Sequence, residues 1–210
     1  MVKNESGVIN EIIRVLDSEA DTVRQLKDKL SMSVMYSIIH ELADCSGKVV
    51  LSGCGTSGMA ARKIAHSLNC IEIPAVFVPP SDAIHGGLGL LNKEDILILI
   101  SKGGNTSELA DMIPACRAKK AKLLGVSENP DSVIAKQADI FLQIRIEREP
   151  CPFNMLATAS TLAVISAFDA ICIALMQYMG YTRERFSVIH PGGAVGEWLK
   201  RGEVDESSRI

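Results

Sequence analysis

The stretch LSGCGTSGMAARKIAHSL (Leu51–Leu68) determines how the rest of the sequence is interpreted. Its glycines at 53, 55 and 58 have the G-x-G-x-x-G spacing that lets a backbone approach a phosphate in dinucleotide-binding folds. An apolar run, Lys48–Ser52, precedes the glycines and predicts a buried strand, and Ala60–Leu68 after them predicts a helix. A strand, a glycine-rich turn and a helix in this order are typical of one unit of an α/β fold.

Strands and helices alternate along the rest of the chain. The remaining strands are predicted at Ala75–Val78, Ile96–Ile100, Lys122–Val126 and Ile140–Ile144. Helices are predicted at residues 9–30, 34–45, 109–116, 132–138 and 155–179, with a last short one around Trp198. This alternation predicts a parallel sheet covered by helices on both faces. Ligands of such sheets bind beyond the carboxyl ends of the strands, so the loops after Ser52, Val78 and Ile100 are the candidates.

Length and composition favour a single globular domain. The chain has 210 residues, a mean hydropathy of +0.19 and 47% hydrophobic residues, enough for a sizeable core. We expect helices in residues 1–45 to belong to the domain formed by 46–200, with 201–210 as a tail. The net charge is −3 and there is no basic stripe, which argues against nucleic acid as a partner.

The cysteines and the N-terminus predict a cytoplasmic protein. The six cysteines form no C-x-x-C pair and lie mostly in apolar runs, so we expect small buried thiols rather than disulfides. The four histidines are scattered, and no metal site is expected. The first residues contain no signal-peptide core. The apolar run Met155–Met179 is long enough to cross a membrane, but polar residues interrupt it, and we expect a buried helix.

A dinucleotide site makes a second demand that the sequence does not meet. An acidic residue should end the second strand and bind a ribose hydroxyl, but that strand ends in Val78-Pro79-Pro80. No G-K-[ST] follows the glycines, which excludes a P-loop. The glycine spacing alone is therefore weak evidence for a nucleotide.

The loop after the third strand, SKGGNTSELA (101–110), favours one compact phosphate. Like the first loop, it is a polar, glycine-rich turn ahead of a helix, where free N–H groups attract anions. Ser101 and Thr106 add hydroxyl groups and Lys102 adds a cation. Plain helix capping is an open alternative for the two hydroxyls, and Asn105 with Glu108 fits a capping box.

Together, GCGTSG (53–58) and SKGGNTSE (101–108) resemble the sugar isomerase (SIS) domain. The second block is similar to that family's S-x-S-G-x-[ST]-x-[DE] motif, with Gly103 replacing its second serine. The blocks AIHGGLGLL (83–91), REPCP (148–152) and IHPGGAVGE (189–197) look like the isomerase domain of arabinose 5-phosphate isomerases. The likeness covers residues 45 to 200.

The resemblance implies a three-layer α-β-α sandwich with a five-stranded parallel sheet, usually tetrameric, that binds phosphosugars without a cofactor. Many arabinose 5-phosphate isomerases also carry CBS domains, which we do not expect here. The resemblance assigns phosphosugar binding to Gly55, Thr56, Ser57, Ser101, Lys102, Gly103 and Thr106. By motif position, it assigns catalysis to Glu108, Glu149 and His190, and it places His85 near the same site. The histidines could act across a subunit interface.

The implied reaction moves a proton between adjacent carbons through a cis-enediolate, which requires a base and an acid. Our working assignment makes Glu149 the base and gives His190 ring opening or proton shuttling, although these two roles can be exchanged. Glu108 would orient the substrate or serve as the second acid. On residue type alone, Glu149 in the charged stretch EREP would be read as a surface residue.

Two departures keep a second function open. Arabinose 5-phosphate isomerases have a lysine at the position of Thr56 and usually an aspartate at that of Gly87. A lysine near a developing negative oxygen is a strong electrostatic contribution, which Lys102 could supply from the neighbouring loop. The sequence therefore predicts an isomerase, with a non-catalytic phosphosugar-binding or regulatory module as the alternative.

Overall fold

A computed structural model describes residues 5–193 and 196–197 of the chain. Five parallel strands form one sheet in the order β2-β1-β3-β4-β5. The strands are β1 (Val49–Gly53), β2 (Ala75–Phe77), β3 (Ile96–Ile100), β4 (Lys122–Ser127) and β5 (Ile140–Gln143). β1 and β3 are buried along their whole length because helices cover both faces of the sheet. The predicted α/β fold is confirmed.

The helices lie in two layers, one on each face of the sheet. They are α1 (Glu5–Lys29), α2 (Met32–Ala43), α3 (Gly55–Asn69), α4 (Pro80–Ala83), α5 (Ser107–Ala110), α6 (Ile113–Lys119), α7 (Val133–Gln137), α8 (Ala159–Tyr178) and α9 (Arg183–Ile189), with a 3₁₀ turn at Gly87–Leu90. One buried cluster joins α1, α2, α3 and α8 to the sheet, and the other joins α5, α6 and α7 to its opposite face. The helix expected around Trp198 lies outside the described residues.

The glycine-rich stretch is the first turn of α3 and not a separate loop. The predicted helix begins at Ala60, whereas α3 begins at Gly55. The reason is a close approach between strand and helix: a Cβ atom on Gly58 would lie 2.5 Å from the carbonyl oxygen of Gly53. Without side chains at these positions the helix can begin directly after the strand.

Two other predicted helices differ from the structure. The segment 109–116 divides into α5 and α6, although its four apolar side chains, Leu109, Met112, Ile113 and Cys116, are buried as expected. The long helix begins at Ala159 and not at Met155. The N–H groups of Met155 and Leu156 donate to the Cys151 sulfur, at 3.1 Å each, which holds this segment outside the helix.

The apolar face of α1 is largely uncovered within the chain. Leu26 is its one buried residue, whereas five apolar side chains of the first half are 47–60% exposed: Val8, Ile9, Ile12, Ile13 and Leu16. α8 is long and apolar enough to cross a membrane by length and composition. In the fold it packs against α1, α2 and α3, and Phe168 and Ile171 lie in the core.

All six cysteines are free thiols, as expected, but only Cys116 and Cys172 are buried, and the others are half-buried. Burial raises the pKa of Cys116 and of Cys172 to about 11. These two thiols are therefore inert packing residues at neutral pH.

Candidate functional site

The crevice at the carboxyl edge of the sheet lies where the strand order reverses. The chain runs from β1 outward to β2 and then returns to β3 on the other side of β1. The last residues of the two central strands, Gly53 and Ile100, are paired in register. Ligands of open α/β sheets bind at such a switch point. The two glycine-rich segments therefore begin side by side, as the sequence predicts.

A cleft opens at this point. Four segments supply its polar lining, namely Thr56 and Ser57 of α3, Ser101 and Lys102 after β3, Ser127 and Glu128 at the end of β4, and Ser160 and Thr161 of α8. Apolar residues of the strands and of α8 form the rest, including Ile100, Val126 and Val164. A small cleft with several convergent hydroxyl groups and one lysine suits a compact, charged, oxygen-rich ligand.

The loop after β3 is folded back on itself by hydrogen bonds. Ser101 Oγ lies 2.8 Å from Thr106 Oγ1 and accepts the Gly104 N–H at 3.0 Å. Gly104 has φ = +71°, and a Cβ atom there would lie 2.1 Å from Ser132 Oγ. This position requires glycine on both grounds. The loop is thereby fixed beside α7.

The capping-box alternative for this loop is wrong. Asn105 Oδ1 accepts the N–H of Val133 in α7, at 2.9 Å, and does not cap α5. The N-cap of α5 is Thr106, whose side chain makes no capping hydrogen bond. Glu108 accepts a hydrogen bond from the Ser107 hydroxyl instead of turning back to the cap.

Glu149 is fully buried and closes the N-terminus of α8. Its Oε2 accepts the N–H groups of Thr158 and Ser160, at 3.1 and 3.3 Å. Its Oε1 accepts a hydrogen bond from the Ser160 hydroxyl and lies 2.5 Å from the Lys102 ammonium. The interpretation of Glu149 as a surface residue is wrong, because its side chain is 0% exposed.

These contacts determine the protonation of Glu149. Burial alone would raise its pKa, but the hydrogen bonds from Lys102 and Ser160 and from two helix N–H groups outweigh burial and hold the pKa below the usual value. Glu149 is therefore ionised at neutral pH. Lys102 is 38% exposed. Its ammonium group contacts the Glu149 carboxylate, and the residue also lines the cleft.

A family model described as SIS domain matches residues 41–174 of the chain. The chain belongs to the SIS domain family. The recognition made from the two glycine-rich blocks is confirmed, and the five-stranded parallel sheet is the fold that this recognition implied.

Arabinose 5-phosphate isomerase KdsD of Yersinia pestis is 41% identical over 186 residues, which cover 89% of this chain and 56% of that protein. The chain thus spans little more than half the length of this curated relative. Two solved structures match over almost their whole length. A Listeria monocytogenes protein, described provisionally as a sugar-phosphate isomerase, is 57% identical with a TM-score of 0.89, and covers 90% of this chain and 99% of its own. Escherichia coli CFT073 c3406, in complex with arabinose 5-phosphate, is 30% identical with a TM-score of 0.85. The match covers 90% of this chain and 100% of that chain.

Within this SIS domain, the cleft brings together only part of the predicted site. Thr56, Ser57, Ser101 and Lys102 line it, and Thr106 contacts it through Ser101. Gly103 is exposed in the same loop. Gly55 and Glu108 border a separate depression on the other side of the loop, together with residues of α3 and α4.

Both predicted histidines lie away from the cleft of their own chain. His85 is exposed in the turn after α4. His190 ends α9, where its ring stacks on Phe186 with centroids 3.9 Å apart and its Nδ1 lies 3.0 Å from the Phe186 carbonyl oxygen. Among the described residues lining the cleft there is no histidine.

Sequence reasoning missed the contributions of β4 and α8. Ser127 and Glu128 follow a predicted strand at the same edge of the sheet, so the switch-point argument could have included them. Ser160 and Thr161 were considered only as polar interruptions of an apolar helix. The sequence also predicted a binding role for the loop after β2. That loop borders the depression beside Glu108 and not the cleft.

Proposed function

We propose that the chain is a sugar-phosphate aldose–ketose isomerase that interconverts a substrate of the D-arabinose 5-phosphate and D-ribulose 5-phosphate type through a cis-enediolate. The observation that carries this proposal is the ion pair between the buried Glu149 carboxylate, which does not itself line the cleft, and Lys102, which lines it beside the two hydroxyl-bearing turns. The similarity to KdsD and to the c3406 complex with arabinose 5-phosphate supports the same substrate class.

The phosphate is held between the start of α3 and the loop after β3. In the described part of the chain no side chain caps α3, a helix of 15 residues, so its first-turn N–H groups and the hydroxyls of Thr56 and Ser57 are available to an anion. Ser101, the first residue after the paired strand β3, lines the same cleft. The helix dipole of α3 adds to the attraction for a phosphate dianion.

The sugar then extends toward Lys102 and Glu149. When the substrate carbonyl oxygen takes Lys102 as its partner, Glu149 loses its strongest hydrogen bond, its pKa rises, and it becomes a better base. Lys102 in turn stabilises the negative oxygen of the enediolate. Lys102 thereby supplies the positive charge that a lysine supplies at the position of Thr56 in arabinose 5-phosphate isomerases.

We further propose that the protein works as a homo-oligomer, a tetramer by family resemblance. The exposed apolar face of α1 is a surface that association would cover. Association also provides the route by which His85 and His190 of one subunit could serve a neighbour's cleft. Light scattering of the purified protein measures the oligomeric state, and a monomer would contradict this part of the proposal.

The second candidate is a non-catalytic phosphosugar-binding or regulatory module. The observation in its favour is that neither histidine lines the cleft of its own chain. Ligand binding needs the hydroxyl-bearing turns alone, whereas isomerisation also needs proton-transfer groups.

Incubation with arabinose 5-phosphate and a panel of other phosphosugars in deuterated water separates the two candidates. Isomerase activity gives the ketose or aldose product with solvent deuterium at the exchanged carbon. We expect Glu149→Gln to lower kcat by about 10²–10⁴-fold, the usual contribution of one positioned base, with little change in ligand affinity. Glu147→Gln, an exposed neighbour, is the matched control. If phosphosugars raise the melting temperature but none is converted, the binding module is correct.

A further inference from the structure

Glu128 is an acidic residue of the cleft that neither the sequence motifs nor the resemblance assigns. It follows β4 directly, on the side of the cleft opposite α3. Its backbone N–H donates to the Lys102 carbonyl oxygen at 2.9 Å, and its own carbonyl oxygen accepts the Gln143 side-chain amide at 2.8 Å. The backbone on both sides therefore fixes where this carboxyl group lies.

The side chain of Glu128 is left incompletely satisfied. Its Oε1 is buried, and among the described residues it has no hydrogen-bond partner. A buried oxygen of an ionised carboxylate without a partner is costly, and native proteins leave few such atoms. A proton or a ligand atom would remove this cost.

The environment of Glu128 favours the protonated form, chiefly because the side chain is partly buried. Burial raises its pKa, and the negative charge of Glu149 adds to the effect. Lys102, the Ile146 N–H and the exposed Arg145 oppose it, but Lys102 is already paired with Glu149. Because Lys102 is paired with Glu149, an ionised Glu128 adds a negative charge to the lining of the cleft, which repels a phosphate dianion.

We propose that Glu128 is a substrate-contacting residue that takes up a proton when a phosphosugar enters the cleft and then donates a hydrogen bond to an oxygen of the ligand. This inference rests on the proposed function for its ligand. It makes phosphosugar affinity depend on pH, with the dissociation constant rising as pH increases above the pKa of Glu128 in the free protein. The complex then carries one negative charge fewer than the free protein and the free ligand carry together.

Calorimetry of the full chain with arabinose 5-phosphate, in buffers of different ionisation enthalpy between pH 6 and 8, counts the protons. For the wild type we expect net uptake and a dissociation constant that rises by up to about tenfold per pH unit, the limit for one linked proton. Glu128→Gln keeps the size of the side chain but removes its titrating group. Proton uptake and the pH dependence of the dissociation constant then fall to the level set by ionisation of the phosphate group. Glu128→Asp keeps a titrating group and restores uptake, and Glu147→Gln behaves as wild type.

Equal proton uptake and equal pH dependence in wild type and Glu128→Gln overturn the inference while leaving the proposed function intact. Absence of binding by any phosphosugar in the panel overturns both. Infrared difference spectra of the wild type supply a test without any substitution. Ligand addition must convert one carboxylate band to a carboxylic acid band, and failure to do so overturns the proposal even if Glu128→Gln does not fold.

Discussion

The two helices that begin at the cleft have N-termini of opposite character. α3 follows β1 directly through Cys54, which makes no capping hydrogen bond, and among the residues that the structure describes no side chain accepts its first N–H groups. α8 begins with the Glu149 carboxylate bound to the N–H groups of Thr158 and Ser160. Both termini carry the partial positive charge of a helix dipole. The protein leaves one of them open to an external anion and closes the other with an internal one.

This difference separates binding from chemistry within one small cleft. The open terminus can take a phosphate because its hydroxyls, Thr56 and Ser57, are not committed to capping. The closed terminus positions a carboxylate that would be too costly to bury without it. Lys102 joins the two, since it contacts Glu149 and also lines the cleft.

The largest effect should come from removing the Glu149 carboxylate from the N-terminus of α8. Glu149→Ala leaves two helix N–H groups and the Ser160 hydroxyl without their acceptor, and we expect the free energy of unfolding to fall by about 3 kcal/mol. This is the low end for a buried pair, because Lys102 can turn to water. Urea denaturation measures the loss, with Glu147→Ala as the control. A loss no larger than that of the control would show that Glu149 does not hold α8.

The same residue gives a pH dependence with a definite sign. Because the folded-state pKa of Glu149 is lowered, its stabilising contribution is present above the unfolded-state pKa near 4.5 and disappears as pH falls through the folded-state pKa. Unfolding free energies of wild type and Glu149→Gln, measured from pH 7 downward, should therefore converge in acid. A difference that stays constant with pH would contradict the assignment.

The open terminus of α3 and the neighbouring loop after β3 should govern affinity more than stability. We expect Ser57→Ala and Thr106→Ala each to weaken phosphosugar binding by about 1–3 kcal/mol, the range for hydrogen bonds to charged groups, with little change in unfolding. Ser37→Ala, on α2 away from the cleft, is the matched control. Unchanged affinity in both variants would place the phosphate elsewhere and remove the contrast between the two helices.

The smallest effect tests how the loop after β3 is anchored. Asn105→Ala removes the hydrogen bond to the Val133 N–H and should cost about 1 kcal/mol of stability. Glu108→Ala should cost less, because Glu108 is exposed and its one side-chain hydrogen bond among the described residues is with the Ser107 hydroxyl. Thermal unfolding of the two variants measures both. Equal losses would show that the hydrogen bond from Val133 to Asn105 does not anchor the loop.

The sequence predicted the elements of the sheet well because each strand is a short apolar run bounded by turn residues. Ile96–Ile100 was predicted with the bounds that the structure has. Helix starts were predicted less well, since they depend on distant partners. α8 begins where Glu149, about ten residues earlier in the chain, accepts N–H groups of its first turn. The spacing of apolar residues does not predict that contact.

By itself, the sequence determined that two glycine-rich turns leave neighbouring strands of a parallel sheet and that the chain resembles a phosphosugar-binding family. The spacing of apolar and glycine residues is local, and local patterns are enough to define strands and turns. Only the tertiary structure decided that Glu149 is buried against Lys102 and that Glu128 lines the cleft with an oxygen that no other described residue hydrogen-bonds. It also placed the histidines outside their own cleft. Burial and charge pairing depend on residues far apart in the chain, so they emerge only when the sheet brings those residues together.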